Sequence, residues 1–89
     1  MFGLTSQIRR AAASIPANIA EGYGRDQTGA YVQFLKTSQG SLKELETHLM
    51  LAQRVQIANS EVTDGLLGQC QELGRMLRAL IRSLQDWSG

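Results

Sequence analysis

Apolar residues recur at alternating steps of four and three through the middle and last thirds of this chain. This spacing places them along one face of an α-helix, and two helices with such stripes pack at a crossing angle of about 20°. No stretch alternates apolar and polar residues long enough to form a strand, so the sequence predicts an all-α fold. The stripes are Tyr31, Leu35, Ser38, Leu42, Leu45, Leu49 and Ala52, and then Leu66, Cys70, Leu73, Leu77, Leu80, Leu84 and Trp87.

The first third of the chain carries a third stripe, which consists of Leu4, Ile8, Ala11, Ile15 and Ile19. Pro16 lies within it and removes a hydrogen bond to the Ala12 carbonyl. Pro16 either kinks one continuous helix or begins a fresh helix. The continuous helix is favoured because the apolar face runs on both sides of the proline. With 89 residues there is room for one domain, 1–89, with helices at about 4–21, 28–55 and 60–86.

Two short polar segments separate the expected helices. The segment from Gly22 to Asp26 contains two glycines and an aspartate, which suits a helix C-cap followed by a new N-cap. The second segment offers Asn59 or Ser60 as the N-cap of the last helix. Glu61 follows in the first turn, where the helix dipole favours an anion.

Charge and composition exclude several classes of protein. Nine basic and eight acidic residues leave a net charge of +1, far from the strongly basic balance of a dedicated nucleic-acid binder. The single cysteine excludes an internal disulfide framework. No apolar run reaches the length of a membrane span, and the first residues do not form a signal peptide. We therefore expect a cytoplasmic protein that does not bind a membrane.

Basic side chains point away from the predicted stripes. They are either a solvated surface or a contact surface for the backbone of RNA or DNA, and the solvated surface is favoured. The residues that would make a nucleic-acid contact are Arg9, Arg10, Lys36, Lys43, Arg75, Arg78 and Arg82, and Arg54 also points outward.

Apolar and small residues beyond the needs of three stripes favour self-association. The segment from Leu49 to Ile57 is apolar around more than one face. Four glycines also lie within helical segments, where each costs roughly 1 kcal/mol relative to alanine unless a neighbouring backbone packs against it. They are Gly40, Gly65, Gly68 and Gly74.

No set of residues has the pattern of an active site. Glu44 and His48 lie one helical turn apart, but a di-metal site in a bundle needs further carboxylates and a second Glu-x-x-His pair. Cys70 falls on a core position, where a buried and inert thiol is expected. The serines have no histidine and acid partners in a triad pattern. We expect no catalytic residues, no metal, no cofactor and no small-molecule substrate.

The chain resembles the 23S rRNA intervening-sequence protein family, whose relatives include the accessory variability determinant proteins of diversity-generating retroelements. The resemblance is most specific in the motif Ser14-Ile15-Pro16-Ala17-Asn18-Ile19-Ala20-Glu21-Gly22. It extends over nearly the whole chain. Other matching stretches are Leu4 to Ala12, Phe34-Leu35, Gly40 to Thr47 and Gly74 to Leu84.

The resemblance implies an antiparallel up-down helical bundle that assembles as a ring-shaped homopentamer. It carries over no catalytic residues, and most members have no established activity. The retroelement relatives bind reverse transcriptase and nucleic acid through a basic surface. We therefore expect a non-enzymatic, self-assembling interaction or scaffold module, with a nucleic-acid-binding accessory protein as the alternative.

The sequence departs from the family at its start. Members usually have a long helix before the Gly-Leu-Thr-Ser-Gln stretch, whereas here only Met1 and Phe2 precede Gly3. We expect three of the four helices, the first being either lost or cut off by the position of the start. A groove lined by residues such as Leu4, Ile8, Leu45 and Leu80 would then stay open, which again favours an oligomer.

Within the family motif a structural role is favoured over direct partner binding. Pro16 and Asn18 are expected in the inward region of the first helix. Asn18 would bond carbonyls left free around the proline or fix the helix register. Glu21 would pair with Arg25 or with a helix-terminal amide. The motif residues so assigned are Ser14, Pro16, Asn18, Glu21 and Gly22.

Overall fold

Each of the three apolar stripes forms one α-helix. The computed structural model describes the backbone of residues 2–88 and the side chains of residues 3–87. Its helices are α1 (Phe2–Tyr23), α2 (Thr28–Arg54) and α3 (Ser60–Ser88), and each bound lies within two residues of the expected one. The described chain contains no strand. The all-α prediction is therefore confirmed.

Pro16 lies inside α1 and does not begin a new helix. The interpretation of one continuous helix is therefore correct. Ala11 and Ile15, on the same face of α1 before the proline, are buried, and Ile19 beyond it packs against the same core. Burial of this face on both sides favours continuity in spite of the hydrogen bond that proline cannot donate.

Helix α2 lies between α1 and α3 and packs antiparallel to both. Its Ser38 hydroxyl donates a hydrogen bond to the carbonyl of Ile15 in α1 (3.0 Å). At the other helix, the Gln53 side chain donates to Asp64 (3.1 Å). Between residues 2 and 88, α1 and α3 have no Cα atoms within 8 Å of each other. The three helices thus form a bundle in which one side is left uncovered.

The core consists of apolar side chains that α1 and α3 bury against α2. The stripe predicted for α2 is correct: most of its members are buried, and Tyr31 and Leu45 are half-buried. Burial of each large aliphatic side chain contributes about 1.5–3 kcal/mol. The core cluster contains Ile15, Val32, Leu35, Leu42, Leu49, Cys70, Leu77 and Ile81.

The stripe predicted for α3 needs a correction. Cys70 and Leu77 are buried, but the predicted members Leu66, Leu80 and Trp87 are exposed, and the stripe omitted Ile81, which is buried. The apolar surface of α3 is wide enough to contain two neighbouring series of residues, each at heptad spacing. The sequence pattern alone does not show which of the two series faces α2. Helix α2 packs on the series that includes Thr63, Cys70, Leu77 and Ile81, so the second series is left on the uncovered side.

The two turns differ in how they are capped. The Asn59 side chain accepts hydrogen bonds from the backbone N–H groups of Glu61 (2.8 Å) and Val62 (3.2 Å), so Asn59 is the N-cap of α3. The N-cap of α2 is Gln27, whose side chain makes no capping bond. The expectation that Asp26 caps α2 is wrong, because the helix begins one residue too late for that side chain.

Helix α2 ends in a left-handed turn at Gln56, which has φ 63°. The N–H of Gln56 bonds the carbonyl of Gln53 (3.1 Å), and the N–H of Ile57 bonds that of Ala52 (3.0 Å). This pair of bonds is the Schellman arrangement, which satisfies the last carbonyls of a helix. The chain is thereby reversed within a few residues, so α3 packs back along α2.

Long helices, of which α3 with its 29 residues spans about 44 Å at 1.5 Å per residue, give the molecule an extended shape. Its principal dimensions are 46 × 21 × 13 Å, and its radius of gyration is 14.6 Å. A compact domain of 89 residues has a radius of gyration of about 12 Å. In the described part of the chain, no helix is both long and apolar enough to cross a membrane.

The corrected register of α3 predicts different costs for two neighbouring leucines. Leu77 is 3% exposed and Leu80 is 37% exposed. Leu77→Asp should cost several kcal/mol and unfold the protein, since an unpaired buried carboxylate is added to a marginally stable fold. Leu80→Asp should leave a cooperative transition. Urea unfolding followed by circular dichroism measures both, and equal losses would contradict the register.

Candidate interaction surfaces

A polar seam within the family motif joins α1 to α2. The hydroxyls of Ser14 and Ser41 lie 2.8 Å apart, and Asn18 donates to both the Ser14 carbonyl (2.8 Å) and the Ser14 hydroxyl (3.0 Å). Asn18 therefore bonds a carbonyl near the proline, although not the Ala12 carbonyl that Pro16 leaves free. Pro16 itself is exposed, so the expectation of an inward position for it is wrong. The seam pairs its own polar groups.

The end of the motif fixes the turn between α1 and α2. Glu21 forms an ion pair with Arg25 (2.5 Å), one of the two pairings expected for it. The Arg25 guanidinium carbon lies 4.9 Å from the centre of the Phe34 ring, within cation–π distance. Gly22 is buried there, and a Cβ added to it would lie 2.7 Å from the Phe34 Cβ. This contact requires glycine at the crossing of the two helices.

A groove between α1 and α2 contains the side chains closest to a catalytic set. It has a volume of about 340 Å³. Glu44 and His48 line it one turn apart, but no third ligand completes a group of His, Cys, Asp or Glu within the described residues. The hydroxyls of Ser14 and Ser41 bond each other rather than His48. The groove is lined by Gln7, Arg10, Ala11, Ser14, Ser41, Glu44 and His48.

Cys70 is buried between α2 and α3, as its core position predicted. Burial raises the pKa of its thiol, and the nearby carboxylate of Glu46 raises the pKa further. Both causes disfavour the thiolate, which is the nucleophilic form of cysteine. The environment therefore opposes reactivity at this side chain.

The predicted basic residues divide between two surfaces. Lys43 and Arg78 line a groove of about 530 Å³ between α2 and α3. Arg75 and Arg82 lie three and four residues from Arg78 and so flank it on the same helix. Lys36 lies two turns before Lys43 on the same face of α2. These five residues form what we call the basic α2–α3 surface: Lys36, Lys43, Arg75, Arg78 and Arg82.

Arg9 and Arg10 do not belong to that surface. Both are exposed on α1, and Arg10 lines the separate groove between α1 and α2. On the basic α2–α3 surface itself, Lys43 pairs with Glu46 (3.7 Å) and Arg75 with Glu72. Exposed pairs of this kind contribute little stability and leave the cations accessible.

The uncovered side of the bundle is an apolar groove between α1 and α3, with α2 as its floor. Its volume is about 270 Å³. None of its lining side chains is charged, and Gln69 is the one strongly polar residue among them. We call it the α1–α3 groove; it is lined by Ile8, Ala12, Ile15, Leu42, Leu45, Leu49, Leu66, Gln69, Cys70 and Leu73.

Helix α3 extends this groove with large exposed side chains. Trp87 is 82% exposed and Met76 is 60% exposed, although they share a helix face with groove-lining leucines. Sequence reasoning missed Val62 and Met76 as members of this face. The signal was present as a second series at steps of four and three. The exposed line of α3 is Val62, Leu66, Met76, Leu80 and Trp87.

The segment expected to be apolar around several faces divides: Leu49 and Ala52 are buried, and its other apolar side chains are exposed near the turn between α2 and α3. Met50, Leu51, Val55 and Ile57 are each more than two-fifths exposed there. This apolar area lies at the end of the bundle and does not line the α1–α3 groove.

Of the four glycines expected to have a neighbouring backbone packed against them, three have no close neighbour among the described residues. A Cβ added to Gly40, Gly65 or Gly68 would meet nothing within 4 Å. At Gly74 it would lie 3.3 Å from the Arg78 guanidinium and 3.4 Å from a methyl group of Leu42. The expected close approach therefore occurs at Gly74 alone within this chain, and it involves a side chain rather than a backbone.

The fold and these surfaces define a helical-bundle protein with one apolar side uncovered. A sequence profile described as 23S rRNA-intervening sequence protein matches residues 1–79, and the chain belongs to this family. The comparison with curated proteins found no match. The family resemblance carried by the Ser14–Gly22 motif is thereby confirmed.

The structural role of Gly22 predicts opposite effects at two glycines. Gly22→Ala should destabilise the fold by about 1–3 kcal/mol, because the added methyl group overlaps Phe34. Gly40→Ala, in the open middle of α2, should stabilise it by up to about 1 kcal/mol. Urea unfolding of both variants measures the difference. A neutral Gly22→Ala would show that the crossing of α1 and α2 tolerates a side chain.

Proposed function

We propose that this protein is a non-enzymatic interaction module that self-associates through its uncovered apolar side. The observation that carries the proposal is the α1–α3 groove, which continues into the exposed line of α3. Contiguous exposed apolar surface of this kind marks interaction sites in soluble proteins. Family membership is consistent with it, because the resemblance noted from the sequence implies assembly of several copies.

The chemistry of the polar groups supports a role without catalysis. Cys70 is buried in surroundings that disfavour its thiolate. The serine hydroxyls of the polar seam are engaged with each other and with Asn18. A nucleophile needs an adjacent base and a third group that orients it, and the groove that holds His48 does not supply this arrangement.

Self-association predicts a mass that depends on concentration. The chain has a mass of 9.8 kDa. Light scattering across a dilution series should give a larger mass at high concentration, and high salt should not reduce it, because apolar contacts are not screened. A single-chain mass at every concentration would contradict the proposal.

A second candidate function is binding of RNA or DNA backbone on the basic α2–α3 surface. Its specific support is the groove to which α2 contributes Lys43 and α3 contributes Arg78; Glu46 also lines this groove and pairs with Lys43 (3.7 Å). With Arg75 and Arg82 beside it on α3, this groove holds more cations than carboxylates, and a cleft with an excess of one charge attracts a polyanion more than scattered surface charges do. The net charge of +1 per chain limits long-range attraction.

Nucleic-acid binding would show itself in the salt dependence of affinity. Fluorescence anisotropy with a labelled RNA hairpin should give an affinity that falls steeply with salt. Arg78→Glu should weaken binding and lower the salt slope by about one or more. Arg9→Glu, with the same charge change on α1, is the control and should have a smaller effect. Absence of binding at low salt would eliminate this function.

A further inference from the structure

The Arg78 side chain lies back along α3 and lines the groove between α2 and α3. Side chains of an α-helix tilt toward its N-terminus, so Arg78 covers the turn that contains Gly74. A Cβ added to Gly74 would lie 3.3 Å from a guanidinium nitrogen of Arg78 and 3.4 Å from a methyl group of Leu42. Because glycine leaves this space empty, the guanidinium rests on the surface of α3 beside α2, where it stays accessible to solvent.

The Arg78 guanidinium has no carboxylate partner among the residues that the structure describes. In contrast, Lys43 in the same groove pairs with Glu46, and Arg75 beside the groove pairs with Glu72. Arg78 therefore presents its N–H donors, which form a planar fork, to a group outside the chain. A fork of this kind suits the two oxygens of a carboxylate or a phosphate.

The lining of the groove suits a single oxyanion. Lys43 and Arg78 are its two cations and Glu46 is its one carboxylate, which leaves one positive charge. Gln39 and Gln71 also line it, and their amides can donate hydrogen bonds. Because Lys43 is shared with Glu46, the Arg78 guanidinium is the cation with the most free donors.

The cations outside the groove favour a phosphate that belongs to a strand. Lys36 lies seven residues from Lys43 on α2, and Arg82 lies seven residues from Arg75 on α3. Seven residues of a helix span about 10 Å, so positive charge continues along both helices beyond the groove. A polymer that carries one negative charge at every phosphate gains from this series of cations, whereas a single carboxylate side chain does not.

We infer that the groove between α2 and α3 holds one phosphate group of a bound RNA or DNA strand, with the Arg78 guanidinium as its main contact. The inference rests on the second candidate function and specifies where the strand is held. The cations outside the groove act on neighbouring phosphates at longer range. Glu46 repels the bound phosphate, so its carboxylate weakens binding.

Two arginine variants with the same charge change test the position of the phosphate. Arg78 lines the groove, whereas Arg82 lies outside the lining on the same helix. In fluorescence anisotropy with a labelled RNA hairpin at low salt, Arg78→Gln should weaken binding about tenfold, as expected for a lost charged hydrogen bond. Arg82→Gln should weaken it only about twofold, as expected for a screened exposed charge. Equal losses would overturn the site in the groove.

Two glutamate variants test the same position with the opposite sign. Glu46 lines the groove and Glu72 does not, and each pairs with a cation. Glu46→Gln should strengthen RNA binding, because it removes the repulsion and releases Lys43. Glu72→Gln makes the same charge change and should have a smaller effect; an equal or larger gain would contradict the inference. Circular dichroism of all four variants should match the parent, which separates loss of contact from loss of fold.

Inorganic phosphate distinguishes the strand from a small phosphate ligand. At equal ionic strength, sodium phosphate should displace the RNA from the parent more than sodium chloride does, and this difference should vanish in Arg78→Gln. Equal displacement of the parent by the two salts would overturn the inference. If the parent binds inorganic phosphate through Arg78 but binds no RNA at low salt, the groove takes a small phosphate, and the assignment to nucleic acid fails.

The outcomes separate this inference from the function on which it rests. If the RNA binds but depends no more on Arg78 than on Arg82, the basic α2–α3 surface as a whole attracts the strand and the site in the groove is wrong. If neither RNA nor phosphate binds at low salt, both are wrong. A larger loss in Arg78→Gln together with a gain in Glu46→Gln supports the inference.

Discussion

The packing of α2 against both α1 and α3 is the constraint on which the rest of this structure depends. Helix α2 is the one element that contacts both others, so every core side chain is buried through it. Ser38 and Leu35 on its inner face are fully buried. Because α1 and α3 do not contact each other within residues 2–88, the core side chains pack against α2, and an apolar groove remains between its two neighbours.

This arrangement divides the chemistry of the molecule between two sides. The groove between α2 and α3 exposes cations, among them Lys43 and Arg78. The groove between α1 and α3 exposes leucines and carries no charge. Ionic and apolar partners would therefore bind at different places, and salt would affect one of these interactions and not the other. Self-association and polyanion binding are thus compatible on one chain.

Periodicity predicted the helices of this protein because a wide apolar stripe leaves few alternatives to a buried helix face. It did not predict the rotation of α3, since Leu80 and Ile81 are adjacent apolar residues and either can point inward. That choice is made by packing against α2, where Gly74 allows Leu42 to approach. The N-cap of α3 at Asn59 was predictable from the sequence. Asp26 also has the side chain of an N-cap, but α2 begins one residue too late for Asp26 to cap it.

The same argument explains why the candidate surfaces were only partly predicted. The basic residues were recognised as exposed, but their division into two surfaces depends on which helix lies beside which, and this is a property of the tertiary fold. Arg10 and Arg78 are alike in sequence terms and line different grooves. Residues that appeared to complete the core of α3, such as Leu80 and Trp87, instead enlarge its uncovered side. A stripe wider than one neighbour can cover is therefore better interpreted as two surfaces, one buried within the chain and one left exposed.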